Sequence, residues 1–483
     1  MTSLNAWVAL ALSGALSGCW TSPEPAADRI DLSAPEAWTG QGTEETPGLA
    51  ESGVRWWTTF DEPSLNSAVD DVLGGSFELG EAWARLAQAR AGADSAGAPR
   101  FPTVDLDGSG QRFEIDQSGG GASGIPLRLG EAYSLGPSFS YEVDLFGRID
   151  SALQSARLEE AATAADVQAT ALALSGRATD AWLTAVQNRE LSALTRQQIE
   201  TGRQLLSVTE NRFGTGSGSV LDVLQQKRQL AGTEAELPRF LGETERALHL
   251  LNVLRGEAPR AISGRRDAGG FDARLLPNRL PPLPPLPDMD LPSTMLELRP
   301  DVVAAMRRVE RADRDVAAAL ANRFPRLSLS GSFNYDGSEI EALFDRTITS
   351  LLASLTVPLI DGGSRRAEVR RQEAALQGAV AALQTTLLTA FQEVEDSLSR
   401  ERRGVQRVNA LEAQFVIAED EVAQARRRYV GGVDTYLQVL SAIQNLQTLE
   451  RQLITERADV LRSRATLLRA LGGAWLDDLE PQD

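Results

Sequence analysis

Residues Ser134 to Gly147 read SLGPSFSYEVDLFG, and Ser350 to Gly363 read SLLASLTVPLIDGG. Around the first stretch, Tyr133, Leu135, Phe139, Tyr141 and Val143 share one parity with Pro137, whereas Ser134, Ser138, Ser140 and Glu142 take the other. A period of two places apolar groups on one face of a β-strand and polar groups on the opposite face. Leu327 to Tyr335 alternates in the same way, with Leu327, Leu329, Phe333 and Tyr335 beside Gly331 against Ser328, Ser330, Ser332 and Asn334. Val104 and Leu106 against Asp105 and Asp107 mark another strand, and Leu351, Ala353, Leu355 and Val357 mark a fourth. Strands of this pattern resemble those of a membrane β-barrel, whose smallest members have about eight strands. Open strand edges are not tolerated in lipid. If these segments enter a membrane, several copies must share one barrel: two copies supply about eight strands and three about twelve. The pattern leaves both open. For the strands alone, a soluble sandwich is the alternative.

Outward from these strands the chain repeats itself at a period of about 216 residues. Arg212-Phe213 returns as Arg428-Tyr429, Gly216 as Gly432, and Leu221-Asp222-Val223-Leu224 as Leu437-Gln438-Val439-Leu440. Phe101-Pro102 aligns with Phe324-Pro325. Each half has one order. A helical stretch, Leu79 to Ala91 or Asp301 to Ala321, ends before Pro102 or Pro325, because proline cannot continue a helix. Two strands and a very long helical run follow. Arg148 to Arg212 has no proline and would span roughly 95 Å if unbroken. Apolar residues recur every seven: Val302, Val309 and Val316; Leu383 and Ala390 with Val380, Leu387 and Val394; Leu446, Leu453, Val460 and Leu467. This is coiled-coil-like patterning. The long helices reverse at Gly214 to Ser219 and Gly431 to Asp434, where Gly216 and Gly432 allow backbone conformations that other residues resist. The proline-rich Pro277 to Pro292 reads as an extended connector between the halves.

The chain has 483 residues and a net charge near −19, which argues against nucleic-acid binding. One cysteine, Cys19, and one histidine, His249, are too few for a metal cluster or a Cys/His catalytic set. The Gly-rich Ser118 to Gly124 lacks the following Lys-Ser/Thr of a phosphate loop and reads as a connecting loop. No residue is assigned to catalysis, so a non-enzymatic role is expected. Ala6 to Leu16 is apolar but too short to span a bilayer, and it leads into Leu16-Ser17-Gly18-Cys19. That box resembles a bacterial lipoprotein signal cleaved before Cys19, whose sulfur would carry the lipid anchor. Met1 to Asn5 carries no Lys or Arg, a departure from the positive start of most signals. No other apolar run reaches the roughly 18 residues of a spanning helix.

Several marks stand in order along both repeats: Trp56-Trp57 with Phe60, YEVDLFG at Tyr141 to Gly147, Arg299-Pro300-Asp301-Val302, YVGGVDTYLQVL at Tyr429 to Leu440, and Leu471-Gly472-Gly473-Ala474-Trp475. With these the chain resembles the TolC-like outer membrane factor family, in its OprM/NodT lipoprotein branch. The resemblance implies a mainly α fold with membrane β: a homotrimer in which four strands per chain build a shared barrel in outer-membrane lipid. Long coiled-coil-like helices would form a periplasmic α-barrel, with a belt at its equator built partly from the chain ends and the connector. It implies an exit duct of a tripartite efflux system, with a periplasmic adaptor and an inner-membrane pump of the resistance-nodulation-division type as partners. It implies no cofactor besides the covalent lipid on Cys19.

On this reading the chain divides into a signal peptide (1–18), a lipid-anchored linker (19–55), a first repeat (56–260), a connector (261–297), a second repeat (298–473) and a tail (474–483). Strands are expected at about 103–114, 131–143, 326–335 and 350–359. Adaptor docking is expected at the reversals, on Arg212, Phe213, Gly216, Leu221, Arg428, Tyr429, Gly432 and Leu437. Family gates often carry aspartates just after the second reversal, where this chain has Gln438 and Ser441. Gln438 and Ser441 are gate candidates by that position, and Asp222 and Asp434 are gate candidates by charge, expected to favour cations at a closed mouth; the plainer alternative is a helix-capping Asp222 and a turn Asp434. Asp105, Asp107 and Glu142, on the polar parity of the strands, are expected to line the bore. Two other functions fit parts of the pattern: a duct for type I protein secretion, and a periplasmic coiled-coil scaffold that would not need the strands.

Overall fold

The computed structural model describes residues 55–115, 128–259, 273–286 and 299–471. Cys19 and the signal segment, the Gly-rich Ser118 to Gly124, the later part of the proline-rich connector and the tail lie outside the described residues.

The order is a short 3-10 turn at Trp56–Phe60, α1 (Pro63–Gly75), α2 (Phe77–Gly97), β1 (Thr103–Ile115), β2 (Arg128–Val143), α3 (Arg148–Gly214), α4 (Val220–Leu254), α5 (Pro300–Ala321), β3 (Arg326–Gly337), β4 (Arg346–Thr356), α6 (Ser364–Val430) and α7 (Tyr436–Ala470). The duplication is visible in the lengths: α3 and α6 both have 67 residues, and α4 and α7 both have 35. Pro238 lies within α4, which runs through it despite the lost N–H.

The chain forms two compact units. One, residues 97–155 and 308–380, holds the sheet. All its pairs are antiparallel, in the order β1-β2-β3-β4. The register carries the sequence alternation straight across. Asp105 stands opposite Ser138, Ser138 opposite Ser332, and Ser332 opposite Ser350, so one polar row crosses all four strands. The adjacent row is Val104, Phe139, Gly331 and Leu351. Hydroxyls and carboxylates close bonds along the polar face: Ser138 Oγ donates to Asp107 Oδ2 at 2.6 Å, and the Ser332 and Ser350 hydroxyls lie 2.8 Å apart. Pro137, with no N–H to give, lies where the β2–β3 ladder is interrupted. β4 spans Arg346–Thr356, where alternation alone suggests about 350–359. Its early residues, Arg346 to Thr349, are drawn in by pairing with Asp336 to Phe333 of β3, a long-range contact that local pattern does not encode. Val357 falls beyond the strand.

The second unit, from residues before 97, between 156 and 307 and after 380, is helical. Trp56, Trp57 and Phe60 are buried in its core with Leu65 and Val69 of α1, Leu174 and Trp182 of α3, Leu251 of α4 and Leu468 of α7. Buried indole N–H groups need acceptors. Trp56 Nε1 finds Ser175 Oγ and Trp182 Nε1 finds Ser64 Oγ, both at 3.1 Å. The heptad positions Val302, Val309, Leu383, Leu387, Ala390, Val394, Val460 and Leu467 are all buried. One window of α6 is long and apolar enough by composition to cross a membrane, which corrects the expectation that no such run exists; it is mostly unburied in the single chain and continues into polar helix at both ends.

The Arg299-Pro300-Asp301 signature has a structural use. Arg299, 7% exposed, donates to Asp301 Oδ2 at 2.7 Å, to Glu393 Oε2 of α6 at 2.9 Å and to the Ala470 carbonyl at the end of α7. Pro300 opens α5, where a missing N–H costs nothing. Arg299→Ala is expected to destabilise the protein by about 1.5–3 kcal/mol, the worth of a hydrogen bond to a charged group, because Asp301 and Glu393 keep access to water. Chemical denaturation of the detergent-solubilised protein measures it; a loss below about 0.5 kcal/mol, typical of a surface substitution, would remove the signature's structural role.

Candidate functional site: the two helix reversals

The reversals are built alike and used differently. At the first, the Gly216 N–H bonds the Phe213 carbonyl and the Ser217 N–H bonds the Arg212 carbonyl. At the second, the Gly432 N–H bonds the Tyr429 carbonyl and the Val433 N–H bonds the Arg428 carbonyl. Gly216 has φ 74° and Gly432 φ 73°, the left-handed geometry that ends a helix and that side chains resist. Ser219 then caps α4: the Leu221 N–H donates to Ser219 Oγ at 3.1 Å, and Asp222 accepts from the Ser219 N–H at 3.3 Å, a reciprocal capping box. Thr435 before α7 makes no side-chain cap.

The aspartates are therefore engaged locally. Asp222 caps its helix, as the plainer alternative holds. Asp434 accepts from Arg428 Nε at 2.5 Å and Arg428 Nη2 at 3.1 Å. The Arg428 hydrogen bonds hold the Asp434 carboxyl below the usual carboxylate range. Any cation preference set by Asp434 works against the Arg428 charge in the same turn.

Across the two reversals runs one aromatic stack. The Arg212 guanidinium lies 4.5 Å from the centre of the Tyr429 ring, a favourable cation–π distance. Tyr429 and Tyr436 meet edge-on at 5.4 Å. The Tyr436 hydroxyl donates to Gln226 Oε1 of α4 at 2.5 Å, and Gln226 Nε2 donates to the Gly202 carbonyl of α3 at 2.7 Å. One chain of contacts thus joins α3, α4, α6 and α7. Burial, then the charge of Asp222, pushes the Tyr429 phenol up, and burial pushes Tyr436 up further, so both stay neutral at any physiological pH. Beneath the stack, Tyr429 and Tyr436 pack with Val422, Val439, Leu440 and Ile443.

The remaining positions divide cleanly. Arg212 is half-buried and Tyr429 buried, whereas Arg428, Gly216, Gly432, Gln438 and Ser441 are exposed. Phe213, Leu221 and Leu437 are exposed, as are Val220, Leu224, Val430 and Val433. Sequence alignment of the repeats pairs Phe213 with Tyr429, yet one faces outward and the other is core. Tyr436 and Gln226 escaped sequence reasoning. A signal existed: the chain has five tyrosines and two of them flank one turn.

The model for outer membrane efflux proteins matches residues 68–257 and 291–473, one match per repeat. The chain belongs to the outer membrane efflux protein family. The pyoverdine export outer membrane protein OpmQ of Pseudomonas aeruginosa is 29% identical over 477 residues, covering 96% of this chain and 95% of OpmQ. The outer membrane protein OprJ of the same organism is 30% identical over 472 residues, covering 97% of this chain and 95% of OprJ. Among solved structures, the outer-membrane channel OprN superposes with a TM-score of 0.81 at 29% identity, over 92% of this chain and 99% of that one. As a member of the family, this outer membrane efflux protein is an efflux channel of the outer membrane, and the TolC-like fold expected from the sequence is the fold it has.

Tyr436→Phe removes the bond to Gln226. A buried hydrogen bond is worth about 1–1.5 kcal/mol, enough to move a closed–open equilibrium about tenfold. Planar-bilayer recordings are expected to show a correspondingly higher open probability; an open probability equal to wild type would exclude this bond from any gate.

Proposed function

We propose that three copies of this chain form the exit duct of a tripartite efflux system for small molecules, of the kind driven by a resistance-nodulation-division pump. The observation that carries the reading is the open sheet. β1 and β4 each have one unpaired edge among the described residues, and an unpaired edge cannot stand in hydrocarbon. Pairing β4 of one copy with β1 of the next removes every edge at once, with the Asp105–Ser350 row facing the lumen and the Val104–Leu351 row facing lipid. Asp105, Asp107 and Glu142 then line the bore, with Glu142 partnered by Arg148 at 2.9 Å.

The reversals form the periplasmic mouth. The Arg212–Tyr429–Tyr436–Gln226 chain is its latch, with Asp222 beside Tyr429. The exposed Phe213, Leu221, Leu437 and Val433 are the surface for the adaptor, because an apolar cluster on a turn set by two glycines offers area without a competing core role. The cargo is selected by the pump, since a duct contributes little substrate chemistry. Cys19 carries the lipid that ties each copy to the membrane, adding to the hold of the barrel.

The test is the mass and conductance of the detergent-purified mature protein. A trimer that opens ion channels is expected; a water-soluble monomer without channel activity would overturn the shared barrel. For the anchor, Cys19→Ser is expected to abolish incorporation of labelled palmitate, and retained label would place the lipid elsewhere.

A further inference from the structure

The connector between the repeats is held from two sides. On one side, Arg189 Nε of α3 donates to Asn278 Oδ1, and Glu190 Oε2 accepts from the Leu280 N–H, both at 2.9 Å. On the other side is an ion pair with almost no access to water. Arg464 of α7 donates through Nε to Glu401 Oε2 of α6 at 2.7 Å and through Nη2 to Glu401 Oε1 at 2.6 Å, while Nη1 donates to the Pro284 carbonyl. The two side chains are 3% and 10% exposed.

Such a pair is a poor device for stability alone, because apolar residues of similar volume often serve as well. It suits the connector for another reason. Pro281, Pro282, Pro284 and Pro285 have no N–H, so this run offers carbonyl acceptors and few donors. Arginine is the complement: donors only, in a rigid fork that can grip a carboxylate with one edge and a carbonyl with the other. The helices approach closely here, since a Cβ at Gly404 would lie 2.6 Å from Val460 Cγ2.

Two residues earlier on α7, Arg462 donates to Asp180 Oδ1 at 2.9 Å and Gln187 Oε1 at 2.7 Å of α3. One turn of α7 therefore grips α3, α6 and the connector through charges. Between this turn and the reversals, the bridges from α7 to α4 are amide pairs, Gln444 to Gln229 at 2.6 Å and Gln229 to Gln447 at 3.1 Å, while Gln198 of α3 is held by Glu450 at 2.6 Å and by Arg451 at 3.0 Å. Neutral amide pairs are roughly half as strong as charge-assisted forks.

We propose that Arg464 is a positioning residue that seats the connector and makes its turn of α7 the fixed end about which the reversals swing. This rests on the reading of the reversals as a gated mouth. Glu401 holds the guanidinium, the Pro284 carbonyl docks on its free edge, and the amide seam between α4 and α7 gives way when the Tyr436 latch is released.

The test uses the full-length lipidated channel with two changes at the clamp: the apolar double variant Arg464→Met with Glu401→Met, and the conservative Arg464→Lys, which keeps the charge and loses the fork. Both are expected to assemble with a thermal midpoint close to wild type. Trypsin cleavage after the exposed Arg279 is expected to be about tenfold faster in both, because proteolysis follows the population of the unseated strap. In the Tyr436→Phe background, both are expected to widen the channel, with a unit conductance above that of Tyr436→Phe alone. Cleavage at the wild-type rate overturns the seat. Faster cleavage with conductance unchanged from Tyr436→Phe overturns the fixed-end role while leaving the gate standing. Failure of Tyr436→Phe itself to open the channel overturns the gate reading and the fixed-end role with it. Wild-type behaviour of Arg464→Lys, beside faults in the double variant, would reduce the clamp to a simple charge pair and overturn the fork argument.

Discussion

A backbone N–H or C=O that faces hydrocarbon with no partner costs several kcal/mol, and the four-stranded sheet of this chain has two edges bearing such groups. Most of the rest of the molecule answers to that constraint. The alternation of Val104, Leu106, Phe139 and Tyr141 with Asp105, Asp107, Ser138 and Ser140 gives the sheet one apolar and one polar face, as a barrel with lipid outside and water inside requires. The continuous Asp105–Ser138–Ser332–Ser350 row shows that the register preserves this division across strands more than 200 residues apart in sequence. A one-residue slip in any pairing would turn a whole strand inside out.

Duplication supplies the strands in pairs, and the helices inherit the same arithmetic. Identical lengths for α3 and α6, and for α4 and α7, give two hairpins that can pack as near equivalents. The copies diverge where function needs asymmetry. The first reversal closes a capping box with Ser219 and Asp222, while the second spends Asp434 on Arg428 and sends Tyr429 and Tyr436 inward. Arg212 of the first copy stacks on Tyr429 of the second, so the repeats meet through neighbouring, non-equivalent positions of one repeated motif.

Buried charge follows one rule throughout. Arg299 and Arg464 are among the least exposed cations of the described residues, and each is surrounded by acceptors on separate elements. Neither is needed to make a helix; both tie the ends of helices, or the connector, to elements distant in sequence. A guanidinium has five donors in a rigid planar fork and so holds acceptors on three elements in fixed directions, which a lysine ammonium on its flexible stem does not pre-organise.

The sequence by itself determined the strand faces, the helical hairpins, the two reversals and the family, because these rest on local periodicity, on proline and glycine, and on motifs in order. Pro102 and Pro325 each stand a few residues beyond the end of a helix, at Gly97 and Ala321, and Gly216 and Gly432 turn the chain through their own left-handed backbone. Only the tertiary structure decided which of two aligned residues is core and which is surface, as with Tyr429 and Phe213. It alone extended β4 back to Arg346, brought Tyr436 to Gln226, and seated the Pro284 carbonyl on Arg464. Those outcomes depend on contacts between residues 10 to more than 200 positions apart, where no local pattern distinguishes a partner from a bystander and only packing makes the choice.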